Sequence, residues 1–182
     1  MTNQTANRPA SAPAPAAGSG GGLGGRAPAF AGTRATVSGT LATIVSLLVL
    51  AAIGRATDSL LLIAPLAATA MIICASPALP PAQPRNVLLG QIGSAVIGYA
   101  AAAAAGHSLW TASVAAGLSV GLMGVLRAVH APAAATAVLV VVQHPAPARF
   151  LLLLAAGSVL LILVGLLASR IGAIGKYPTY WW

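Results

Sequence analysis

Residues 86–126 read NVLLGQIGSAVIGYAAAAAAGHSLWTASVAAGLSVGLMGVL and contain no Asp, Glu, Lys or Arg. The whole chain of 182 residues is 58% hydrophobic and 5% charged, with a mean hydropathy of +0.92. A water-soluble domain needs a charged outer face on its helices, which this composition cannot supply. About 20 apolar residues in one helix span the hydrocarbon core of a bilayer. The sequence therefore predicts an all-α, polytopic helical membrane protein.

Six apolar segments follow one another along the chain. They cover residues 36–54, 59–76, 86–105, 109–127, 131–143 and 150–169. The second and fifth segments each carry a proline near the start, Pro65 and Pro132, and each ends in a proline-bearing loop. The fifth segment covers only about 20 Å as a helix, which is short for a full crossing. We expect four full spans and two proline-broken segments that are either short crossings or re-entrant.

The two proline-broken segments resemble each other. Residues 64–70, APLAATA, align with residues 131–137, APAAATA. Downstream of each segment, an arginine stands eight residues before a Gly-Ser pair. This similarity predicts an internal two-fold repeat of span, broken segment and span. With three crossings in each copy, the two copies are inverted relative to one another.

The distribution of basic residues favours six crossings over four. If all six segments cross, seven of the nine basic residues lie on one side, and Arg55 and Arg149 lie on the other. If the second and fifth segments re-enter, the split is five to four. Cytoplasmic loops are enriched in Lys and Arg, so the first arrangement is preferred. Both arrangements place both termini in the cytoplasm, and we expect a multi-pass protein of the cytoplasmic (inner) membrane.

Three regions are expected along the chain. Residues 1–35 are rich in Ala, Pro and Gly and lack the apolar mass that offsets the entropy of ordering, which predicts a disordered cytoplasmic tail. Residues 36–176 form the transmembrane domain. Residues 177–182, YPTYWW, are predicted to be an aromatic anchor at the membrane interface.

Arg127, His130 and Pro132 are the strongest candidates for a binding site. Polar residues inside a bilayer are costly, so those that remain are candidates for function. Pro132 is expected to hold Ala131 extended and to start a new helix, whose free N–H groups favour an anion. Arg127 either adds positive charge to that site or only anchors the end of span four. His130 either handles substrate or a proton, or caps and packs a helix.

A second group of candidates lies at the start of span three and in the two broken segments. Arg85 and Asn86 follow a proline-rich loop, where Asn86 is expected to N-cap the span. The alternative is a rigid loop with an arginine that only sets topology. Thr69 and Thr136 either offer hydroxyl groups to a ligand or bond to their own helix backbone. Asp58, the single acidic residue, is expected to N-cap the second segment.

Enzymatic and nucleic-acid-binding functions find no support in the sequence. With one carboxylate, no HExxH motif and no P-loop, the chain has no residues for a metal-dependent or two-carboxylate mechanism. Its basic residues are scattered singly, unlike the basic patch of a nucleic-acid-binding protein. Cys74 is the single cysteine, which excludes an internal disulfide. We expect no enzyme activity, no cofactor and no metal site.

Three motifs resemble those of the HPP family of integral membrane proteins. Residues 80–86, PPAQPRN, resemble its PLAQPRN motif, and residues 130–137, HAPAAATA, resemble its HPPAGATA signature. Residues 177–181, YPTYW, resemble its YPxYW ending. The motifs occur in the same order as in the family, and the resemblance covers the chain beyond the N-terminal tail. Ala131 stands where the family has Pro, and Ala134 stands where it has Gly.

The resemblance implies four transmembrane helices and, from chloroplast and cyanobacterial members, nitrite transport. Nitrite is a small anion, which agrees with the anion site expected near Arg127 and His130. We therefore expect a transporter or channel for a small monovalent anion, nitrite first, with its site at the proline-broken helix starts. The alternative is a membrane-embedded ligand sensor or assembly subunit without transport. The expected partners are a small inorganic anion, the lipid bilayer and further copies of the chain, since Gly- and Ala-rich faces allow close helix packing.

Overall fold

The computed structural model describes residues 29–58 and 63–181. It contains six α-helices and a 3-10 turn at Pro80–Ala82, and the described residues include no β-strand. The helices are α1 (Thr33–Ala56), α2 (Ala64–Ala75), α3 (Pro84–Ala105), α4 (Leu109–Val125), α5 (Pro132–Gln143) and α6 (Pro147–Arg170). This confirms the predicted all-α class and its six apolar segments. Most of the predicted N-terminal tail lies outside the described residues.

Local sequence signals set most of the helix boundaries. Proline occupies one of the first two positions of α2, α3, α5 and α6, where its missing N–H costs no helical hydrogen bond. Helix α4 begins after Ser108, whose hydroxyl accepts a hydrogen bond from the Thr111 N–H at 3.0 Å. Helix α3 ends at Ala105, and the residue after it, Gly106, has a φ of 73°, which favours glycine.

In the part of the chain that the structure describes, three helices are long and apolar enough to span a membrane. These are α1, α3 and α6, with 24, 22 and 24 residues. Helix α4 has 17 residues and rises about 25 Å, whereas α2 and α5 have 12 residues each and rise about 18 Å. Three spans are therefore clear by length and composition, and the predicted fourth, α4, is shorter.

Contacts between loops distinguish the two ends of the helix bundle. At one end, the proline-loop end, residues 77–83 lie against the start of α5, and the His130 Nδ1–H donates to the Pro81 carbonyl at 2.7 Å. At the other, the His107 end, the His107 Nδ1–H donates to the Val141 carbonyl at 3.0 Å. Helix α5 therefore begins at the proline-loop end and finishes at the His107 end.

Helix α2 also joins the two ends. It follows Asp58, whose backbone carbonyl accepts a hydrogen bond from the Arg149 guanidinium at 2.9 Å, close to the turn between α5 and α6. It is followed by Pro77, whose carbonyl accepts a hydrogen bond from the Gln83 side chain at 2.9 Å in the proline loop. Both short helices therefore run from one end of the bundle to the other. A re-entrant segment would instead return to the end at which it began.

The prediction that Ala131 is extended is wrong. Its φ of −52° and ψ of −40° are helical. The His130 carbonyl accepts a hydrogen bond from the Ala133 N–H at 3.0 Å, and this bond closes a turn through Ala131. The turn overrides the steric preference that Pro132 imposes on the residue before it.

Two predicted helix caps are also wrong. Asn86 does not cap α3, because the helix begins two residues earlier at Pro84, with Gln83 at the N-cap position. Asp58 does not cap α2, because Ile63 occupies the N-cap position and α2 has no side-chain cap. In both cases the helix starts beside a proline rather than beside the polar side chain, since proline already has the φ of a first helical turn.

Two glycines let the short helices pack closely against long ones. Gly98 of α3 faces Val140 of α5, and a Cβ atom added at Gly98 would lie 2.9 Å from the Val140 Cβ. Gly165 of α6 faces Ile73 of α2, and an added Cβ would lie 2.5 Å from the Ile73 Cγ2. Small residues at such contacts drive helix association in membranes, where close van der Waals packing replaces the hydrophobic effect.

Gly165→Ala is expected to destabilise the bundle by about 1–3 kcal/mol, because its methyl group overlaps Ile73 and forces α2 and α6 apart. Gly117→Ala is the matched control, since nothing lies within 4 Å of a Cβ at that position of α4. Thermal unfolding of the purified variants in detergent measures the difference. Equal midpoints for the two variants would contradict the packing described here.

Candidate functional site

A chain of hydrogen-bonded polar side chains crosses the interior of the bundle. The Thr136 hydroxyl in α5 donates to the Gln91 amide oxygen in α3, and the Gln91 Nε2 donates to the Thr69 hydroxyl in α2 at 3.0 Å. The Thr69 oxygen lies 2.8 Å from the His130 Nε2. The His130 Nδ1–H donates to the Pro81 carbonyl. We call Thr136, Gln91, Thr69 and His130 the polar chain.

The sequence places these side chains at the crossing of the two short helices. Thr69 and Thr136 each stand four residues after a helix-starting proline, so both reach the middle of their helices. Gly90 allows α3 to approach the start of α5, because a Cβ there would lie 2.8 Å from the His130 Cβ. His130 is also held by its backbone N–H, which donates to the Met123 sulfur at 3.4 Å.

All four side chains of the polar chain are fully buried, with 0% of each exposed. A buried polar group without a hydrogen bond costs several kcal/mol in an apolar medium, so the mutual bonds are needed for these residues to lie there at all. A fully satisfied network of this kind fixes the positions of the helices that carry it. The polar chain offers hydroxyl, amide and imidazole groups, which together can donate to an anion or accept a proton.

The C-terminal segment closes the proline-loop end. The Gln83 side-chain oxygen accepts a hydrogen bond from the Thr179 N–H at 2.8 Å. The Asn86 amide donates to the Pro80 carbonyl at 2.9 Å and to the Tyr180 hydroxyl at 3.4 Å. The three motifs quoted from the sequence, around residues 80–86, 130–137 and 177–181, therefore meet at this end of the bundle.

The aromatic C-terminal residues divide into a buried and an exposed group. Tyr177 is 5% exposed, and a Cβ atom added at Gly165 would lie 3.0 Å from its ring. This tyrosine therefore packs inside the bundle. Tyr180 and Trp181 are exposed, and for them an anchoring role at the membrane interface stays a prediction. Trp182 lies outside the described residues.

The structure brings together His130, Thr69 and Thr136 among the predicted site residues. Pro132 lies beside them, buried at the first position of α5. Asn86 is 2% exposed, but its amide bonds to the proline loop and the C-terminal segment.

The two predicted site arginines lie away from the polar chain. The Arg85 guanidinium donates to the backbone carbonyls of Arg127 and Leu126 at 2.9 and 2.8 Å, and it thereby caps the C-terminus of α4. Arg127 is exposed, whereas His130 is fully buried. Helix α4 ends at Val125, and the φ of 52° at Arg127 turns the backbone, so Arg127 and His130 do not share a helix face.

Gln91 is the site residue that sequence reasoning missed. It bonds to both threonines and so links α2, α3 and α5. The signal was present, because a lone amide in the middle of an apolar helix is costly and therefore a candidate for function. Its partners lie 22 and 45 positions away in sequence, so only the fold could identify them.

The family model described as HPP, transmembrane region, matches residues 28–178. The chain belongs to the HPP transmembrane family. Two proteins of Dictyostelium discoideum named as transmembrane proteins are 32% and 33% identical to it over 154 residues, which is 78% of this chain. The chain spans about half the length of these curated relatives, 50% and 54%. No solved structure matches it.

Family membership confirms the resemblance drawn from the three motifs. It also establishes the chain as a membrane protein, in agreement with the apolar helices α1, α3 and α6. The family match covers the polar chain, the proline loop and Tyr177 within one continuous region.

Arg85→Gln is expected to destabilise this HPP-family chain by about 1–3 kcal/mol, because two charge-assisted hydrogen bonds to carbonyl groups are lost at the end of α4. Arg127→Gln is the matched control and is expected to unfold like the wild type, since its side chain is exposed. Chemical or thermal unfolding in detergent measures both. If Arg127→Gln is the more destabilised variant, the assignment of the capping residue is wrong.

Proposed function

We propose that this HPP-family protein transports a small monovalent anion, with nitrite as the first substrate to test. The polar chain is the observation that carries the proposal. It lies where two short proline-headed helices pack together inside the bundle, and polar groups at such positions mark substrate pathways. Hydroxyl and amide donors without a fixed charge suit a weakly hydrated monovalent anion, which gives up water for a few neutral hydrogen bonds.

The internal repeat predicted from the sequence, if inverted, agrees with this proposal. An offset of 67 residues relates Pro65 to Pro132 and Thr69 to Thr136, the two threonines that Gln91 joins. The two close helix contacts join the matching pairs of helices, α3 with α5 and α6 with α2, although the arginine and Gly-Ser pair downstream align at an offset of 64. Those contacts are Gly98 against Val140 and Gly165 against Ile73.

The contacts between helices agree with the same correspondence, in which α1, α2 and α3 match α4, α5 and α6. Helix α5 packs on α3, and its counterpart α2 packs on α6. Helix α1 packs on α2, and its counterpart α4 packs on α5. The two copies also meet each other at α2 with α5 and at α3 with α6. Transporters built from inverted repeats bind substrate at such a repeat interface, near the middle of the membrane.

A cavity at the His107 end supports a route to the polar chain. Its volume is about 270 Å³, and it is lined by residues from the start of α2, the end of α5 and the start of α6, among them Ile63, Leu139, Gln143 and Arg149. Leu139 lies one helical turn beyond Thr136. At the opposite end the proline loop and the C-terminal segment lie over the polar chain. On this proposal, the His107 end is the side from which an anion would approach the polar chain.

The charges at the two ends support an orientation in the inner membrane. Within residues 29–58 and 63–181, the proline-loop end carries five basic residues: Arg34, Arg85, Arg127, Arg170 and Lys176. The His107 end carries Arg55, Arg149 and Asp58. By the positive-inside rule the proline-loop end is cytoplasmic, and exposed Arg127 there raises the local concentration of anions.

Nitrite uptake into proteoliposomes of the purified protein tests the proposal. Wild-type protein is expected to raise uptake above that of empty liposomes, and Gln91→Leu is expected to lower it about tenfold or more. A hydrogen bond to a charged group contributes about 1.5–3 kcal/mol, and a loss of about 1.4 kcal/mol weakens binding tenfold.

Ser119→Ala serves as the control for this variant. Ser119 is also fully buried in a helix, but its hydroxyl bonds to the Ala116 carbonyl of its own helix α4. Its uptake is expected to equal that of the wild type. If folded wild-type protein moves neither nitrite, nitrate, formate nor chloride, transport is excluded, and a ligand-sensing or assembly role is favoured instead.

A further inference from the structure

The Thr69 hydroxyl has one hydrogen and two acceptors within reach. Its oxygen lies 2.9 Å from the Pro65 carbonyl and 2.8 Å from the His130 Nε2. The Gln91 amide donates to the same oxygen at 3.0 Å. A hydroxyl group can donate once and accept twice, so Thr69 serves one acceptor at a time while it keeps the bond from Gln91.

His130 is held so that only one of its nitrogens can change its protonation. The Nδ1 atom lies 2.7 Å from the Pro81 carbonyl, which can only accept, so Nδ1 carries a hydrogen in every state. The Nε2 atom faces the Thr69 hydroxyl, which can donate or accept. Nε2 is therefore the nitrogen at which a proton can be gained or lost.

Both protonation states of His130 fit the same positions of the heavy atoms. With neutral imidazole, the Thr69 hydroxyl donates to Nε2. With imidazolium, Nε2–H donates to the Thr69 oxygen, and the hydroxyl hydrogen rotates to the Pro65 carbonyl. Each state leaves every hydrogen of this group paired, because the acceptors at 2.8 and 2.9 Å are equally within reach.

We propose that His130 binds one proton for each anion transported, with Thr69 as the positioning residue, so that anion and proton move together. This inference rests on the proposed transport function and names its coupling ion. In the step itself, the Thr69 hydroxyl turns its hydrogen to the Pro65 carbonyl, one O–H bond of hydronium breaks, an N–H bond forms at Nε2, and water remains. The reverse step on the other side of the membrane releases the proton, and no bond of the anion is broken.

The surroundings of His130 explain why the two ions bind together. Among the described residues, the polar partners of its imidazole are the Thr69 hydroxyl, the Gln91 amide and the Pro81 carbonyl, all of them neutral. A buried imidazolium without a counter-charge is unfavourable in this apolar setting. An anion beside it removes that cost, and by linkage each ion raises the affinity for the other.

Among the described residues, no charged or titratable side chain of α2, α3, α5 or the proline loop hydrogen-bonds to the His130 imidazole. On α2, the Cys74 thiol lies 3.5 Å from the Ser46 hydroxyl. On α3, the Tyr99 hydroxyl donates to the Pro145 carbonyl, and the Arg85 guanidinium caps the end of α4. Arg127, which follows α4, is exposed, and α5 together with the proline loop carries no ionisable side chain.

The first test is nitrite accumulation in proteoliposomes under an inward proton gradient, with the membrane potential held at zero. If one proton accompanies each anion, nitrite is expected to accumulate about tenfold inside for each pH unit of gradient. A pH difference of one unit and a tenfold ratio of nitrite concentrations correspond to the same free energy. Empty liposomes give the initial rate at which nitrous acid crosses the lipid unaided, and this rate is subtracted from the initial rate with protein, since nitrous acid alone reaches the same final accumulation. Wild-type flux that is present but unaffected by the gradient overturns the coupling and leaves the proposed transport standing, whereas absent flux contradicts transport itself.

Variants of Thr69 separate positioning from mere packing. Thr69→Val has nearly the same shape and is expected to lose most of the gradient-driven accumulation, whereas Thr69→Ser keeps a hydroxyl and is expected to restore it. Thr43→Val is the matched control, because the Thr43 hydroxyl also donates to the carbonyl four residues before it, at 2.8 Å. His107→Ala is the control for a histidine outside the polar chain. Equal accumulation by Thr69→Val and Thr43→Val overturns the role of Thr69.

A second measurement reports on His130 without transport. Nitrogen NMR of ¹⁵N-histidine-labelled protein distinguishes a bare Nε2 from a protonated one, and His107→Ala together with His144→Ala identifies the His130 signal. Adding nitrite at constant pH is expected to shift that signal towards imidazolium in the wild type. A signal that saturating nitrite leaves unchanged, in protein that transports nitrite, overturns the proposal.

Discussion

A polar group inside a membrane must find its hydrogen-bond partner within the protein, because lipid tails offer none. This constraint governs the interior of the bundle. Thr69, Gln91, Thr136 and His130 are fully buried and bond to one another in a continuous chain. Since each of the three helices α2, α3 and α5 contributes a member, a shift of any one helix would leave an unpaired group. The polar chain therefore sets the relative positions of these helices as well as the candidate pathway.

Close packing brings those helices near enough for the bonds to form. Gly90 and Gly98 give α3 a flat face along α5, and Gly165 accepts Ile73 of α2. Hydrogen bonds of about 3 Å between side chains as short as threonine require such close helix axes. The proline loop and the C-terminal segment then seal one end, through Gln83 and its bond from the Thr179 N–H. The close packing of the helices, the hydrogen bonds of the polar chain and the loop contacts at the proline-loop end therefore depend on one another.

The sequence predicted the positions of the helices well, because these depend on neighbouring residues. It predicted the partners of individual side chains less well, because these depend on other parts of the fold. Apolar runs and helix-starting prolines such as Pro65 and Pro132 located all six helices to within a few residues. The predicted N-cap at Asn86 failed because Pro84 starts the helix earlier, and the Asn86 amide is used by the Pro80 carbonyl instead. Arg127 and His130 do not lie on one helix face as expected, because the Arg127 side chain lies at the surface after a turn in the backbone.

What the sequence by itself determined is the all-helical class, the membrane setting, the family and the candidates His130, Thr69 and Thr136. Hydropathy, proline position and motif order are properties of neighbouring residues, so they can be read without a fold. Only the tertiary structure decided that Gln91 joins the two threonines, that Thr69 faces His130 across 61 positions, and that Arg85 caps α4. Hydrogen-bond partners are chosen by distance in space, and segments far apart along the chain meet only once the helices have packed.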